Sequence, residues 1–258
     1  MAYSGGADSA LVLAAGVRAL GRDGVLAVTA VSESLPSGEL AAARALAEDL
    51  GVAHLAPRTE ELNRPGYRAN GADRCYFCKS EVLDTVTAVA RAHGFDLVAT
   101  GTNADDTADP FRPGIRAGRE RGIRTPLADA GLTKADARAV SRLWSLPTWD
   151  KPATPCLASR IRYGIPVTGH RLARVDRAEK AVRRALDGAG VHSEQLRVRD
   201  LGDTVRVELD AGAAAAAAGL TALAEGVAEA GFGTAPLIVD SFVSGRLNHE
   251  RPPATEEF

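Results

Sequence analysis

The stretch best equipped for chemistry is Ser4-Gly5-Gly6-Ala7-Asp8-Ser9. Two adjacent glycines let a backbone approach a ligand closely and adopt dihedrals closed to other residues. Ser4 and Ser9 add hydroxyls. An apolar Ala/Leu stretch over residues 10–20 has helical spacing, so the free N–H groups at its start point into the turn. The pattern suits a pyrophosphate group. Asp8 fits only if a cation sits between its carboxylate and the phosphates, and Mg²⁺ binds one or two carboxylates together with substrate phosphates. The competing reading is an ordinary Gly-rich turn capping a helix. The stretch is neither a Walker A loop, which needs Gly-Lys-Ser/Thr, nor a GxGxxG turn.

Three further groups carry chemistry. Asn103, Asp105 and Asp106 close an apolar run and make a second shell for Mg²⁺ or a ribose, or a turn that bonds its own backbone. Cys75 and Cys78 form a CxxC at the start of an expected helix over residues 79–93, between Arg74 and Lys79, surroundings that favour thiolates. A zinc site, a redox pair and cluster ligands are all open to it, as is a structural role. Cys156 follows Pro152 and Pro155 in an irregular segment, with Lys151 and Arg160 on either side. Three thiolates together suggest an iron–sulfur cluster with one iron left open, although such clusters normally take four Cys. Arg197, Arg199 and Arg206 alternate along expected strands. They are either a solvated face or a recognition site for an anion, which Arg grips bidentately.

The elements that must position these groups follow from periodicity. Apolar runs at residues 25–31, 52–55 and 95–100 read as buried strands, and residues 37–50 read as a helix. Thr133 and Asp136 form a capping box opening a helix to about Trp144. Alternating strands and helices imply an α/β fold, a parallel sheet with helices on both faces. Ligands in such sheets bind beyond the strand C-termini, so the turn at Ser4 and the loop after Thr100 are expected in one crevice. Only Met1, Ala2 and Tyr3 precede the turn, so the first strand is stunted or the chain begins upstream. Character shifts near Pro147. Beyond it come a charged helix over residues 171–186, two alternating strands over 196–200 and 204–209, an Ala-rich helix over 211–230 and a strand over 236–242. The expected domains are residues 1–147 and a smaller α+β domain over 148–258, with a frayed tail after Asn248.

The chain has 258 residues, 45% hydrophobic and 25% charged, with a formal net charge of −2. Such a balance is ordinary for a globular protein and carries no basic surplus for nucleic acid. No run of 18 apolar residues suggests a membrane span, and no signal-peptide pattern opens the chain. Three cysteines favour metal or thiol chemistry in the cytoplasm over a disulfide framework.

The hexapeptide at Ser4 resembles the SGGxDS signature of the PP-loop ATP pyrophosphatases. Nearly the whole chain resembles the LarE group of ATP-dependent sulfur transferases, which build a nickel-pincer nucleotide. The resemblance runs through the turn, Arg74–Lys79, residues 101–106, Phe111-Arg112-Pro113-Gly114, Gly131-Leu132-Thr133-Lys134, residues 146–152, 156–163 and 244–248. It implies ATP and Mg²⁺ as cofactors, held by Ser4, Gly5, Gly6, Asp8, Ser9, Asn103 and Asp106. It implies adenylation of a carboxylate of pyridinium-3,5-biscarboxylic acid mononucleotide and displacement of AMP by sulfur. Glu179, Arg197 and Arg199 match a family cluster around the sulfur site, and Ser159 and Arg160 are placed with them at the substrate. Family members form a homohexamer. One group of the family gives up a cysteine's own sulfur, leaving dehydroalanine. Another uses three cysteines and a [4Fe-4S] cluster, and Cys75, Cys78 and Cys156 place this chain with the second. In the alternative, Cys156 is the sacrificed residue. Rival readings are tRNA 2-thiolation, an amidotransferase-type synthetase and a non-catalytic nucleotide-binding regulator. No zinc ribbon, RNA-binding extension or glutaminase domain is visible for the first two.

Overall fold

The computed structural model describes residues 1–108 and 112–249. Phe111 of the resemblance and the tail over 250–258 lie outside the described residues. The chain divides into two compact units. One comprises Met1–Tyr67 and Asp73–Thr154; the other comprises Arg68–Ala72 and the described residues from Pro155 onward.

The first unit is mixed α/β. Its helices are α1 (Ala7–Leu20), α2 (Glu39–Asp49), the single turn α3 (Pro65–Arg68), α4 (Arg74–Ala92), α5 (Ala104–Ala108), α6 (Pro113–Glu120), α7 (Pro126–Asp129) and α8 (Lys134–Leu143). Strands β1 (Leu26–Val28) and β2 (Ala53–Leu55) pair in parallel, Ala27 opposite His54. Parallel bridges join Ala2 to Val28 and Ala99 to Arg124, and the Ala2 amide donates to the Ala99 carbonyl at 2.8 Å. The sheet order is therefore β2, β1, the segment 1–3, the segment 98–100, then Arg124. Sequence order reverses between segments 1–3 and 98–100, and the crevice of such a sheet opens at that reversal. The short opening segment is its central strand. Tyr3, Ala10, Leu13, Val25, Ala27, Ala43, Leu46, Ala47 and Val52 pack as one core cluster beneath it.

In the second unit the segment at Ile161 bridges β3 (Leu196–Asp200), which pairs antiparallel with β4 (Val205–Leu209), itself parallel to β5 (Leu237–Ser241). Helix α9 (Gly169–Gly188), capped by Thr168, buries Leu172, Val175, Ala178, Val182 and Leu186. The Ala-rich stretch is not one helix. It breaks into α10 (Ala211–Ala217) and α11 (Thr221–Val227), which extends to Phe232, with a 94° bend between the two pieces. Leu220 is extended at the break, next to Gly219, and glycine is among the weakest helix formers. The chain ends, as described, in α12 (Arg246–His249). Among the described residues no single helix is long and apolar enough to cross a membrane.

Candidate functional site

The turn has the geometry of an anion cradle. Gly5 takes φ +74°, and a Cβ there would stand 3.0 Å from that of Ala43 in α2, so only glycine serves. Gly6 caps α1 without a side-chain cap bond, and its amide donates to the Ser4 hydroxyl at a long 3.4 Å. Ser9 accepts from the Ser4 amide at 3.3 Å and donates to the Gly6 carbonyl at 3.0 Å, fixing the loop from inside. The Ser4 and Ser9 hydroxyls lie 3.1 Å apart.

The loop after Thr100 meets this turn, as expected from the sheet. A Cβ on Gly101 would sit 2.6 Å from the Ser9 nitrogen and 2.8 Å from the Asp8 carbonyl carbon, an approach only glycine permits. Asn103, fully buried, donates to Asp8 Oδ2 at 3.3 Å and accepts from the Asp106 amide at 3.0 Å. Arg112 pairs with Asp106 at 2.8 Å. Asp105 instead accepts from the Lys134 amide at the start of α8, at 2.8 Å.

Asp8 Oδ1 is buried and accepts no hydrogen bond from the described residues. A buried acceptor without a partner is costly. Burial raises the Asp8 pKa, and Asp106 adds to that; Lys134, the Asn103 amide and Arg138 oppose it. An orphaned carboxylate oxygen at the mouth of an anion cradle fits Mg²⁺, an oxygen-seeking cation that fills its remaining positions with water and phosphate. Lys134 and Arg138 project from α8 one turn apart and act electrostatically on Asp8. Lys151 reaches the turn from 146 residues away, its Nζ donating to the Gly5 carbonyl at 3.1 Å and to Glu39 at 2.8 Å. Sequence reasoning gave these three cations no role at the turn, placing Lys151 only beside Cys156. Lys134 had a local signal, the capping box, whereas nothing local ties Lys151 to Gly5.

Helix α4 starts at Arg74, five positions earlier than the expected 79, so Cys75 and Cys78 lie within its first turns rather than ahead of them. Apolar spacing locates a helix body, but the polar and aromatic first turn carries no such stripe. Cys75 is exposed and Cys78 half-buried. Burial lowers the pKa of the neighbouring Lys79 ammonium, with Cys78 and Asp106 opposing. Cys156 belongs to the other unit. Among the described residues no group of three or more His, Cys, Asp or Glu side chains is placed to hold a metal ion.

The backbone around Cys156 is held tightly. Its carbonyl accepts from the Ser159 hydroxyl at 2.7 Å and from Arg160 at 3.3 Å, and Arg160 also bonds the Pro155 carbonyl. Arg160 is 1% exposed, and its other nitrogens meet both Glu179 oxygens, at 2.9 and 3.3 Å. Glu179 in turn accepts from the Val198 amide at 3.1 Å. The Cys156 thiol stays half-buried while its main chain is clamped.

Arg197, Arg199, Arg206 and Glu208 share one face of the second sheet, Arg197 opposite Glu208 and Arg199 opposite Arg206. The face is not a solvated one. Glu208 is fully buried, and Arg199 reaches it at 2.7 Å while donating to the Ser159 carbonyl at 3.1 Å. Arg246 lies 3.5 Å from Glu208 and pairs with Asp240. Burial pulls the Arg197 guanidinium down to about 10, helped by the Arg160 and Arg199 charges and opposed by Glu179 and Glu208. Five arginines thus gather near three carboxylates, a surplus that suits an anionic ligand. Glu208 and Asp240 were not singled out in the sequence, since a lone carboxylate in an alternating strand looks solvent-facing, and Arg246 lay within the resemblance at 244–248 without a role of its own.

A parallel sheet reversing beside an anion-receiving turn, with a second unit that presents a clamped cysteine and arginines, defines a two-unit α/β protein equipped for an anionic ligand. No protein-family model matches the chain. It is 34% identical over 209 residues to the pyridinium-3,5-bisthiocarboxylic acid mononucleotide synthase of Lactiplantibacillus plantarum, covering 81% of this chain and 73% of that one. It belongs to the family of that synthase, the LarE family. It is 47% identical over 81% of its length, and 75% of the relative's, to an uncharacterised protein of Synechocystis sp.. It is also 28% identical to an uncharacterised Methanocaldococcus jannaschii protein over 55% of this chain and 52% of that one.

Proposed function

We propose that the chain is an ATP-dependent sulfur transferase acting on a carboxylate of pyridinium-3,5-biscarboxylic acid mononucleotide. The observation that carries the reading is the orphaned Asp8 Oδ1 beside the Ser4–Gly6 cradle. A carboxylate has no business beside phosphates without a cation, and this one has an oxygen to spare for it. Bound Mg²⁺ supplies positive charge shared between Asp8 and the phosphates. Ser4, Gly5, Gly6 and Ser9 receive the phosphates, and Asn103 fixes the Asp8 rotamer. Lys134 and Arg138 add positive charge on the same side.

A free carboxylate is a poor electrophile. Attack of its oxygen on the α-phosphorus of ATP releases pyrophosphate and gives it AMP as a leaving group. The Cys156 thiolate then attacks the acyl carbon; the C–O bond to AMP breaks and a thioester forms. Loss of the Cys156 Cα proton to a base breaks Cβ–Sγ, leaving dehydroalanine and a thiocarboxylate. What supports Cys156 here is its clamped main chain, which holds the thiol in place while leaving it half-buried. Arg197, partly desolvated on the sheet face, takes the substrate's anionic groups. Mixing protein, MgATP and the dicarboxylate nucleotide tests the reading. Pyrophosphate and AMP appear only with both present, and mass spectrometry shows oxygen replaced by sulfur. ATP binding without pyrophosphate release returns the chain to a nucleotide-binding regulator.

A further inference from the structure

Lys151 stands five residues before Cys156, at the end of the first unit, and its ammonium holds the turn at the other end of that unit. The bond goes to the Gly5 carbonyl. In a trans peptide the carbonyl of one residue and the N–H of the next point in opposite directions within one plane. Fixing Gly5 O therefore fixes the direction of the Gly6 N–H, which stands at the start of α1 and makes only a long bond, 3.4 Å, to the Ser4 hydroxyl. The grip is double. Ala43 of α2 packs against Gly5 at 3.0 Å from where a Cβ would be, and Glu39 of the same helix pairs with Lys151 at 2.8 Å. Both partners of that pair are about four-fifths buried, with side-chain exposures of 20% and 19%, so the pair is screened less than a surface one. Arg138 anchors the same segment, donating to the Trp149 carbonyl at 3.1 Å and the Lys151 carbonyl at 2.9 Å. Arg138 also acts on Asp8. Two cations that bear on the turn thus hold the chain that runs directly into Cys156.

We propose that Lys151 is a positioning residue that couples occupancy of the Gly5–Gly6 turn to the conformation of the cysteine-bearing segment 152–156. An anion in the cradle draws on the Gly6 N–H and polarises the Gly5 carbonyl that Lys151 holds, so the two bonds strengthen together. The inference rests on the ATP reading above. Alkylation of Cys156 by iodoacetamide, read by peptide mass spectrometry with and without MgATP, tests it in the full chain. ATP affinity is measured in parallel by calorimetry without the second substrate. In the unaltered protein MgATP changes the Cys156 alkylation rate severalfold. In Lys151→Met that change is lost, while ATP binds within roughly tenfold of the original affinity, the loss of about one charge-assisted bond. Lys151→Arg, which can reach both acceptors, restores the response. A nucleotide response that persists in Lys151→Met overturns the coupling, as does ATP binding with no response in the unaltered protein. Failure of the unaltered protein to bind ATP at all overturns the ATP reading as well, and calorimetry tells that case apart.

Discussion

Asp8 has one oxygen satisfied by Asn103 and one left bare in a buried site. Its raised pKa means that the folded chain holds the Asp8 proton more tightly than the unfolded one. Stability from this group is therefore greatest below the unfolded value, roughly 3.9, and is lost as pH rises toward the raised folded pKa. Once ionised, the carboxylate strains the apo protein. Asp8→Asn should remove that strain, so its melting temperature is expected to equal or exceed the original while pyrophosphate release disappears. Calorimetric scans and a pyrophosphate assay on one preparation check both halves. A less stable Asp8→Asn that still turns over would show the carboxylate to be structural. Arg197 and Arg199 differ in kind although they alternate on one strand. Arg199 compensates the buried Glu208 charge, and stripping one partner from a buried pair costs about 3–5 kcal/mol. Arg199→Ala should therefore lower stability by that order. Arg197 donates to the Leu196 carbonyl and lies over the Phe242 ring, so Arg197→Ala should lower the melting point less than Arg199→Ala and weaken substrate binding about tenfold to a hundredfold. Equal melting losses in both variants would make Arg197 another structural partner.

Single elements set how closely the two loops of the crevice approach. The loop after Thr100 lies against the first turn of α1 because Gly101 has no Cβ. Gly101→Ala would push on the Ser9 nitrogen, main chain that cannot swing aside like a side chain. A cost of about 1–3 kcal/mol in stability is expected. ATP affinity should fall further than stability does, because the displaced atoms form the cradle. Thermal melts paired with calorimetric ATP titration separate the two effects, and parallel losses would reduce Gly101 to a packing residue. Elements with contiguous signals were legible in the sequence. The turn declares itself by two glycines and two hydroxyls within six positions, and the Thr133–Asp136 capping box forms as read. The parallel sheet follows from apolar runs, although its strands are shorter than those runs. The early start of α4 and the bend in the Ala-rich stretch escaped, because the first turn at Arg74 carries no apolar stripe and one glycine in an Ala-rich run does not say where the helix breaks. The Lys151–Gly5 and Arg199–Glu208 bonds escaped for another reason: each joins residues brought together by the fold, and pairing partners do not announce themselves in one chain.

At the scale of the whole molecule the open quantity is the source of sulfur, because it decides whether the protein is a catalyst or a reagent. Cys75 and Cys78 lie on α4 of the first unit, and Cys156 opens the second. The Cys156 backbone is gripped by neighbouring side chains, Ser159 and Arg160. The sulfur-donor reading predicts asymmetric variants. Cys75→Ala and Cys78→Ala should keep one round of sulfur transfer per chain, and Cys156→Ala should lose transfer while still releasing pyrophosphate, since the turn that receives ATP is untouched. Intact-protein mass spectrometry after turnover should find a loss at Cys156 of one sulfur and two hydrogens, and added sulfide should not raise the yield beyond one product per chain. Sulfur chemistry of this kind lies outside ordinary thiol oxidation, which adds oxygen or a second sulfur, so the direction of the mass change alone identifies it. The opposite pattern has an equally clear signature. If all three alanine variants lose transfer together, if anaerobically purified protein carries iron and sulfide, and if added sulfide supports many turnovers with Cys156 unchanged, then the three thiolates act as one cluster and Cys156 is a ligand, not the donor.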